Sequence, residues 1–344
     1  YINKYSYEIK FINISDEKYF HIYFNDNKEE IKRDFINKGN EKIKIVIDYE
    51  IKSLCGLFKG CKHIKKINFI KFNRKDIINM KELFNGCESL TELNISKIKT
   101  DNVTDMSYMF SNCESLKEIN LSNFNTNNVT DLSYMFSRCS KLKEINISSF
   151  NNDKLTNMCG MFRFCYYLKK LNLSNFNTYN VNDMNSMFYY CYSLEEINLD
   201  NFNTYNVKDM CGMFYYCYSL EEINLDNFNT DNVKDMCRMF ERCSSLKELN
   251  LSSFNTDKVN DMGYMFLECL SLSKLNLANF KAIKPINMKG MFSGCKSLIN
   301  LNFPNFNFNF NIKKYETFEG CNLLKMSDFF QNKTQKQNNF CINF

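Results

Sequence analysis

The chain has 344 residues, 44 % of them hydrophobic, and no run of 18 apolar residues. It can therefore bury a large core, and it shows no segment that spans a membrane. A formal net charge of +5 with interspersed signs leaves no basic footprint for nucleic acid, and only 10 Gly and 2 Pro exclude a flexible-linker composition.

In chain order, residues 1–50 come first. Strands are predicted at 8–12 and 42–47, with a helix over 29–36, and the segment reads as an N-terminal cap. From residue 51 the chain repeats itself. Eleven cysteines stand 26 residues apart, from Cys61, Cys87 and Cys113 through to Cys295 and Cys321. Phe lies three residues before each, from Phe58 to Phe318, and Leu or Ile three residues after. A fixed period of this length is the signature of a solenoid, in which each unit buries its apolar face against the next.

One unit shows the expected elements. Met106, Met109, Phe110 and Cys113 fall at i, i+3, i+4 and i+7, the stripe of a short amphipathic helix, with Thr104 or Asp105 placed to cap it. Ile119-Asn120-Leu121 alternates as a short strand with its Asn facing outward. Asn125 to Asn128 form a polar turn. The fold class is then α/β: a solenoid of about eleven 26-residue coils over residues 51–326, roughly 50 Å long at the strand spacing. A parallel sheet would lie on one face and short helices on the other. Residues 327–344 read as a C-terminal cap and tail, since the coil around Cys321 loses the Met column (Lys314, Thr317) and terminal units are atypical.

The piece Leu116-x-x-Ile119-Asn120-Leu121-x-x-Phe124 resembles the leucine-rich-repeat core, with Phe where Asn usually stands. The longer unit, carried by Phe228-Asn229-Thr230, Val233, Asp235-Met236, Met239-Phe240, Cys243, Leu246 and Leu249-Asn250-Leu251, resembles the BspA-type leucine-rich-repeat surface proteins. That resemblance implies adhesion or partner binding at a cell surface or after secretion; a cytoplasmic setting stays open.

Candidate chemistry is sparse. The Cys column reads as buried thiols that pack as small hydrophobes, against the alternatives of disulfides or metal; close pairs such as C-x2-C are absent. A second, partial column holds Cys55, Cys159, Cys211 and Cys237. The strand Asn column (Asn94, Asn120, Asn146 and onward) is expected to stack as an amide ladder or to floor a binding surface. No phosphate loop, GxSxG or HExxH motif and no cofactor signature appears, so the expectation is a protein that is not an enzyme and holds no cofactor. Asn102 and Asn128 are sequons in turns, open to glycosylation on export.

Two surface features point to a partner. Glu196 with Asp200, and Glu222 with Asp226, repeat on one sheet face beside Glu195 and Glu221, an acidic strip that suits a cation or basic partner, or simply water. Tyr166, Tyr167, Tyr189, Tyr190, Tyr192, Tyr215, Tyr216 and Tyr218, with Tyr179 and Tyr205, crowd into three coils. Most occupy columns that elsewhere hold Ser, Asn, Arg or Glu, which predicts exposed rings and an interaction patch. The partner expected is a protein, a glycan, or copies of the same chain building a filament or coat.

Overall fold

Each repeat closes into one coil because its apolar positions point the same way at a fixed interval and the backbone amides find partners in the next coil. The computed structural model describes residues 9–14, 17–25, 27–31, 33–36, 42–72, 74–281, 286–304 and 314–324. The expected tail, residues 327–344, lies outside them.

The N-terminal segment is antiparallel. β1 (Ile9–Lys10) pairs with β3 (Phe35–Ile36), and β2 (Phe20–Phe24) with β4 (Ile43–Ile47). The helix expected over 29–36 is absent from its described residues; β3 stands at its end. Phe11, Ile12, Phe20, Ile22 and Phe24 are buried and join the core of the repeats.

The repeats form a parallel β-solenoid. β5 (Lys66–Asn68) pairs with β6 (Glu92–Asn94), β7 (Glu118–Asn120) with β8 (Glu144–Asn146), and β9 (Lys170–Asn172) with β10 (Glu196–Asn198). β11 (Glu248–Asn250), β12 (Lys274–Asn276) and β13 (Asn300–Asn302) make a triplet. A second ladder of nine single bridges runs from Ser53 through Asp105, Asp131, Asp183, Asp209 and Asp235 to Asn287. Its nine bridges link ten successive positions, about nine turns of the solenoid.

The expected helices are not there. Among the described residues the only α-helix is α1 (Lys314–Phe318). The Met-Phe-Cys stripe lies instead on a run of turns. Met109, Ser111 and Cys113 N–H donate to the carbonyls three residues back, while Met106, Tyr108, Phe110 and Asn112 N–H cross to Asp131, Ser133, Met135 and Ser137 of the next coil. The physical reason is a left-handed residue at every fourth position. The residue before each column cysteine has φ between 56° and 78°, from Gly60 and Gly86 through Asn112, Arg138 and Tyr190 to Gly320. The residue five before it has φ between 55° and 62°, from Gly56 and Glu82 through Tyr108 to Gly290. A left-handed residue cannot continue a right-handed helix, and it turns alternate amides outward to the neighbouring coil.

The interior is a set of axial stacks. Phe58, Phe84, Phe110 and their successors to Phe318 stack in ten consecutive pairs, centroids 5.1–5.9 Å apart and planes within 15°. Each offset pair is worth about 0.5–1.5 kcal/mol beyond its burial. The column cysteines are free thiols. Each from Cys87 to Cys321 donates its S–H to the carbonyl of the Phe 29 residues earlier, at 3.0–3.3 Å. Burial pushes these thiols up, Cys139 and Cys191 to about 12, so they stay protonated donors.

A threonine ladder closes the opposite edge. Thr100, Thr126, Thr178, Thr204, Thr230 and Thr256 each donate Oγ1–H to a carbonyl of the next coil and accept the same residue's N–H. Asn152 takes the place of Thr in that column, is 1 % exposed, and neither its Oδ1 nor its Nδ2 has a hydrogen-bond partner. Asn152→Thr is therefore expected to stabilise the chain by about 1–2 kcal/mol, because it replaces an unsatisfied buried amide with the bond its neighbours make. A urea midpoint that stays put or falls would contradict the ladder's energetic role.

The glycines give a second check. Gly60 and Gly160 are both left-handed, but a Cβ on Gly60 would meet nothing within 4 Å, whereas one on Gly160 would lie 2.4 Å from Cε1 of Tyr134. Gly60→Ala should cost about 1 kcal/mol, the left-handed penalty alone, and Gly160→Ala about 2–4 kcal/mol through displacement of the Tyr134 ring, which stacks on Tyr108 at 4.8 Å. Equal losses in chemical denaturation would show that the ring is not seated there.

Candidate functional site

The tyrosines sit on the outer side of the turn run, in three columns set by their distance from the column cysteine. Immediately before it stand Phe164, Tyr190 and Tyr216, all left-handed (φ 60–63°). Phe164 stacks on Tyr190 at 5.3 Å and Tyr190 on Tyr216 at 4.5 Å. Guanidiniums close the row at both ends, Arg138 at 4.8 Å over Phe164 and Arg242 at 4.8 Å over Tyr216. The column one residue earlier runs Arg163, Tyr189, Tyr215, with Arg163 at 4.5 Å over Tyr189 and the two rings stacked at 4.3 Å. Just after the cysteine, Tyr166, Tyr192 and Tyr218 stack at 5.2 Å each. Edge contacts lock the columns together, among them Tyr190 on Tyr192 at 5.2 Å and on Tyr189 at 4.8 Å.

The result is one interlocked cluster of eight rings, and it corrects the expectation of freely exposed tyrosines. Tyr215 is 8 % exposed; Tyr166, Tyr189, Tyr190, Tyr192, Tyr216 and Tyr218 are half-buried. The reason is the 26-residue spacing: rings in successive coils cover one another's faces and leave their edges outward. Tyr167 alone of the eight tyrosines named for this patch stands fully outside, at 54 %. Burial, then the neighbouring tyrosines, pushes the Tyr192 hydroxyl up to about 12. Burial also raises Tyr189, Tyr215 and Tyr216, so the exposed edge carries phenol O–H groups, not phenolates. A cleft of about 310 Å³, lined in part by Tyr134, Arg138, Arg163 and Phe164, abuts one end of the cluster.

The acidic strip does not survive as a strip. Glu196 pairs with Lys170 at 2.5 Å, Glu195 with Lys169 at 2.8 Å and Glu221 with Lys247 at 2.5 Å. Opposite charges in adjacent coils neutralise one another. Glu222 is exposed, and Asp226 accepts from Asn250 Nδ2 at 3.2 Å. Asp200 instead joins Tyr179 and Tyr205, 53 % and 49 % exposed, around a separate open cleft of about 660 Å³ with Asn201, Asn203, Asn227 and Asn229.

The strand asparagines mostly end their strands, accepting the N–H two residues on, as Asn120 does from Ser122. Side-chain to side-chain amide bonds occur from Asn276 to Asn250 and from Asn302 to Asn276. The sequon amides are engaged: Asn102 donates to the Lys75 carbonyl and Asn128 to the Asp101 carbonyl. The arginines and Phe164 were missed from the sequence, although their columns show them: Arg138 and Arg242 share the position of Tyr190, and Arg163 that of Tyr189.

The repeat has a family. Residues 52–169, 142–224, 192–306 and 219–341 match the family described as Mycoplasma protein of unknown function, DUF285. The chain belongs to this family. No curated protein matches it. Among solved structures, a leucine-rich repeat protein from Bacteroides ovatus is 18 % identical, covers 89 % of this chain and 92 % of its own, and superposes with a TM-score of 0.35. A leucine-rich cell surface protein from Faecalibacterium prausnitzii is 15 % identical over 76 % and 78 %, with a TM-score of 0.36. An internalin from Listeria monocytogenes is 16 % identical over 75 % and 85 %, with a TM-score of 0.24. Superpositions this loose carry no argument about function. No helix among the described residues is long and apolar enough to cross a membrane.

The cluster's packing is open to test. Tyr190→Ser removes the ring that stacks on both Phe164 and Tyr216, and is expected to cost about 2–4 kcal/mol. Tyr167→Ser should change stability by less than about 0.5 kcal/mol. A loss for Tyr190→Ser no larger than for Tyr167→Ser would mean that the rings do not stack in solution.

Proposed function

We propose that the chain is a non-enzymatic binding module that grips a protein partner through the edge of the aromatic and arginine cluster. The observation that carries this reading is the position of the rings. Phe164, Tyr190 and Tyr216 occupy left-handed backbone that large side chains avoid, at about 1 kcal/mol or more each, in a column that ends in Gly at both termini of the repeats. Strain kept in the middle coils and relieved at the ends fits selection for what the rings present.

The chemistry favours a protein over a glycan. Sugars stack on open aromatic faces, and these faces are taken by the neighbouring rings. What remains outward is a row of phenol O–H donors beside the guanidiniums of Arg138 and Arg163, suited to carbonyl and carboxylate groups on a folded surface, while Arg242 is held by Glu268 at 2.9 Å. A rigid solenoid offers such a row without ordering entropy on binding. The setting we infer is a cell surface, in keeping with the BspA-type resemblance of the repeat.

The test uses a variant that keeps the stack. Tyr166→Phe, Tyr192→Phe and Tyr218→Phe remove hydroxyls but not rings, and Arg138→Gln and Arg163→Gln remove charge. Cell-surface extracts passed over the immobilised wild-type chain should leave a protein whose retention falls at least about tenfold on the combined variant, with a glycan array blank. Glycan binding alone, or equal retention by both chains, would overturn the reading. Filaments of the purified wild type in light scattering and microscopy would replace it with self-assembly into a filament or coat.

A further inference from the structure

The partial cysteine column holds one feature that the binding surface does not use. Six residues before the column cysteine stand Cys159, Asn185, Cys211, Cys237 and Gly263 in successive coils. Cys211 and Cys237 are the one adjacent pair of thiols in this column. Their side chains are half-buried and stand side by side in adjacent coils. Asp235 stands two residues before Cys237, and its Oδ1 accepts the Cys237 N–H at 2.8 Å. The ligand atoms of Cys211, Asp235 and Cys237 all lie within 4.8 Å of one another, the one such group of three among the described residues. A tetrahedral zinc ion, with Zn–S near ~2.3 Å and Zn–O near ~2.0 Å, needs ligand separations of about 3.5–3.8 Å, within reach of side-chain rotation.

We propose that Cys211, Cys237 and Asp235 form a binding site for one thiophilic divalent cation, Zn²⁺ by its ligand preference. Two sulfurs and one carboxylate oxygen supply three corners, and water takes the fourth.

The surroundings argue for a cation independently of the thiols. Asp235 is bridged in register to Asp209 on one side and Asp261 on the other, and Asp209 in turn to Asp183. Four carboxylates thus follow one another up the solenoid, where Asn interrupts the column at 157 and 287. Stacked like charges of this kind are costly unless a counter-ion sits among them. Arg238, next to Cys237 in the chain, is bonded to Glu241 at 2.7 Å. Loading is balanced as Zn²⁺ displacing the two thiol protons, which leave to solvent. Two thiolates and one carboxylate then exceed the ion's charge by one, which leaves the loaded site with a single net negative charge. Soft thiolate selects Zn²⁺ over Mg²⁺ or Ca²⁺. The site ties two adjacent coils beside the aromatic cluster, since a Cβ on Gly212 would lie 3.3 Å from the Tyr189 ring.

The test is metal titration of the whole chain, reduced and freed of metal by chelator. Co²⁺ alone is added first, followed by Zn²⁺ in competition. The expected result is one ion per chain, with a thiolate-to-cobalt charge-transfer band that Zn²⁺ removes. Cys211→Ser and Cys237→Ser should each abolish the band and weaken Zn²⁺ binding by about a hundredfold or more, and Asp235→Asn by about tenfold. Ser stands in this column at Ser107 and Ser133, and Asn in the Asp235 column at Asn157 and Asn287, so the variants fit the fold; an unchanged thermal midpoint in chelator checks that. Cys159→Ser should leave the band intact. Absence of binding, or binding that persists in Cys211→Ser and Cys237→Ser, would overturn the site.

Discussion

Two left-handed residues per coil govern this protein. They stand four apart on the turn run, and they rotate every second amide away from its own coil toward the next. A helix would have closed those amides locally and left each repeat self-contained. Here no coil satisfies its own backbone, so each is completed by its neighbour. The solenoid is therefore obligatory: stability lies in the interfaces between units more than in the units.

The interior follows from that constraint. Coils hydrogen-bonded to one another at β spacing place like residues directly over like. Phe on Phe then becomes a continuous stack, Thr on the next backbone a two-way hydrogen bond, and Cys a donor to the carbonyl that the turn would otherwise leave half used. Cysteine suits that last place because it is small and apolar enough to bury, yet carries one proton to give. The same registry acts outside. Lys over Glu cancels charge along the strands, and Tyr over Tyr converts a row of separate surface residues into one packed cluster.

The period, the inward columns and the strand positions were legible in the sequence, because burial and β alternation write directly into residue type. Phe58 to Phe318 and Cys61 to Cys321 needed nothing more than counting. The helices were misread because apolar residues at i, i+3, i+4 and i+7 fit a turn run with four-residue periodicity as well as a helix. The distinguishing signal was present: eight of the ten glycines, Gly56, Gly60, Gly86, Gly160, Gly212, Gly290, Gly294 and Gly320, fall in the two left-handed columns. A helix would have no use for glycine there. The tyrosine cluster was legible as a concentration but not as a packed object, since ring stacking depends on coil spacing. Cys211 and Cys237 were legible as members of one column but not as a metal site, because thiols 26 residues apart lie far from any zinc-finger spacing. Arg138, Arg163 and Arg242 went unread because they look like ordinary surface charge until the ring beneath each is known.

The claim on which the rest stands is where the turn-run amides go. Trans-hydrogen-bond scalar couplings in the deuterated chain report it directly, by correlating an amide nitrogen with the carbonyl carbon that accepts its proton. The Phe110 amide should couple to the Met135 carbonyl of the next coil, and Tyr108 to Ser133. Coupling of Phe110 to Met106, four residues back, would mean that the stripe is a helix after all, and that the coils are not joined through these amides.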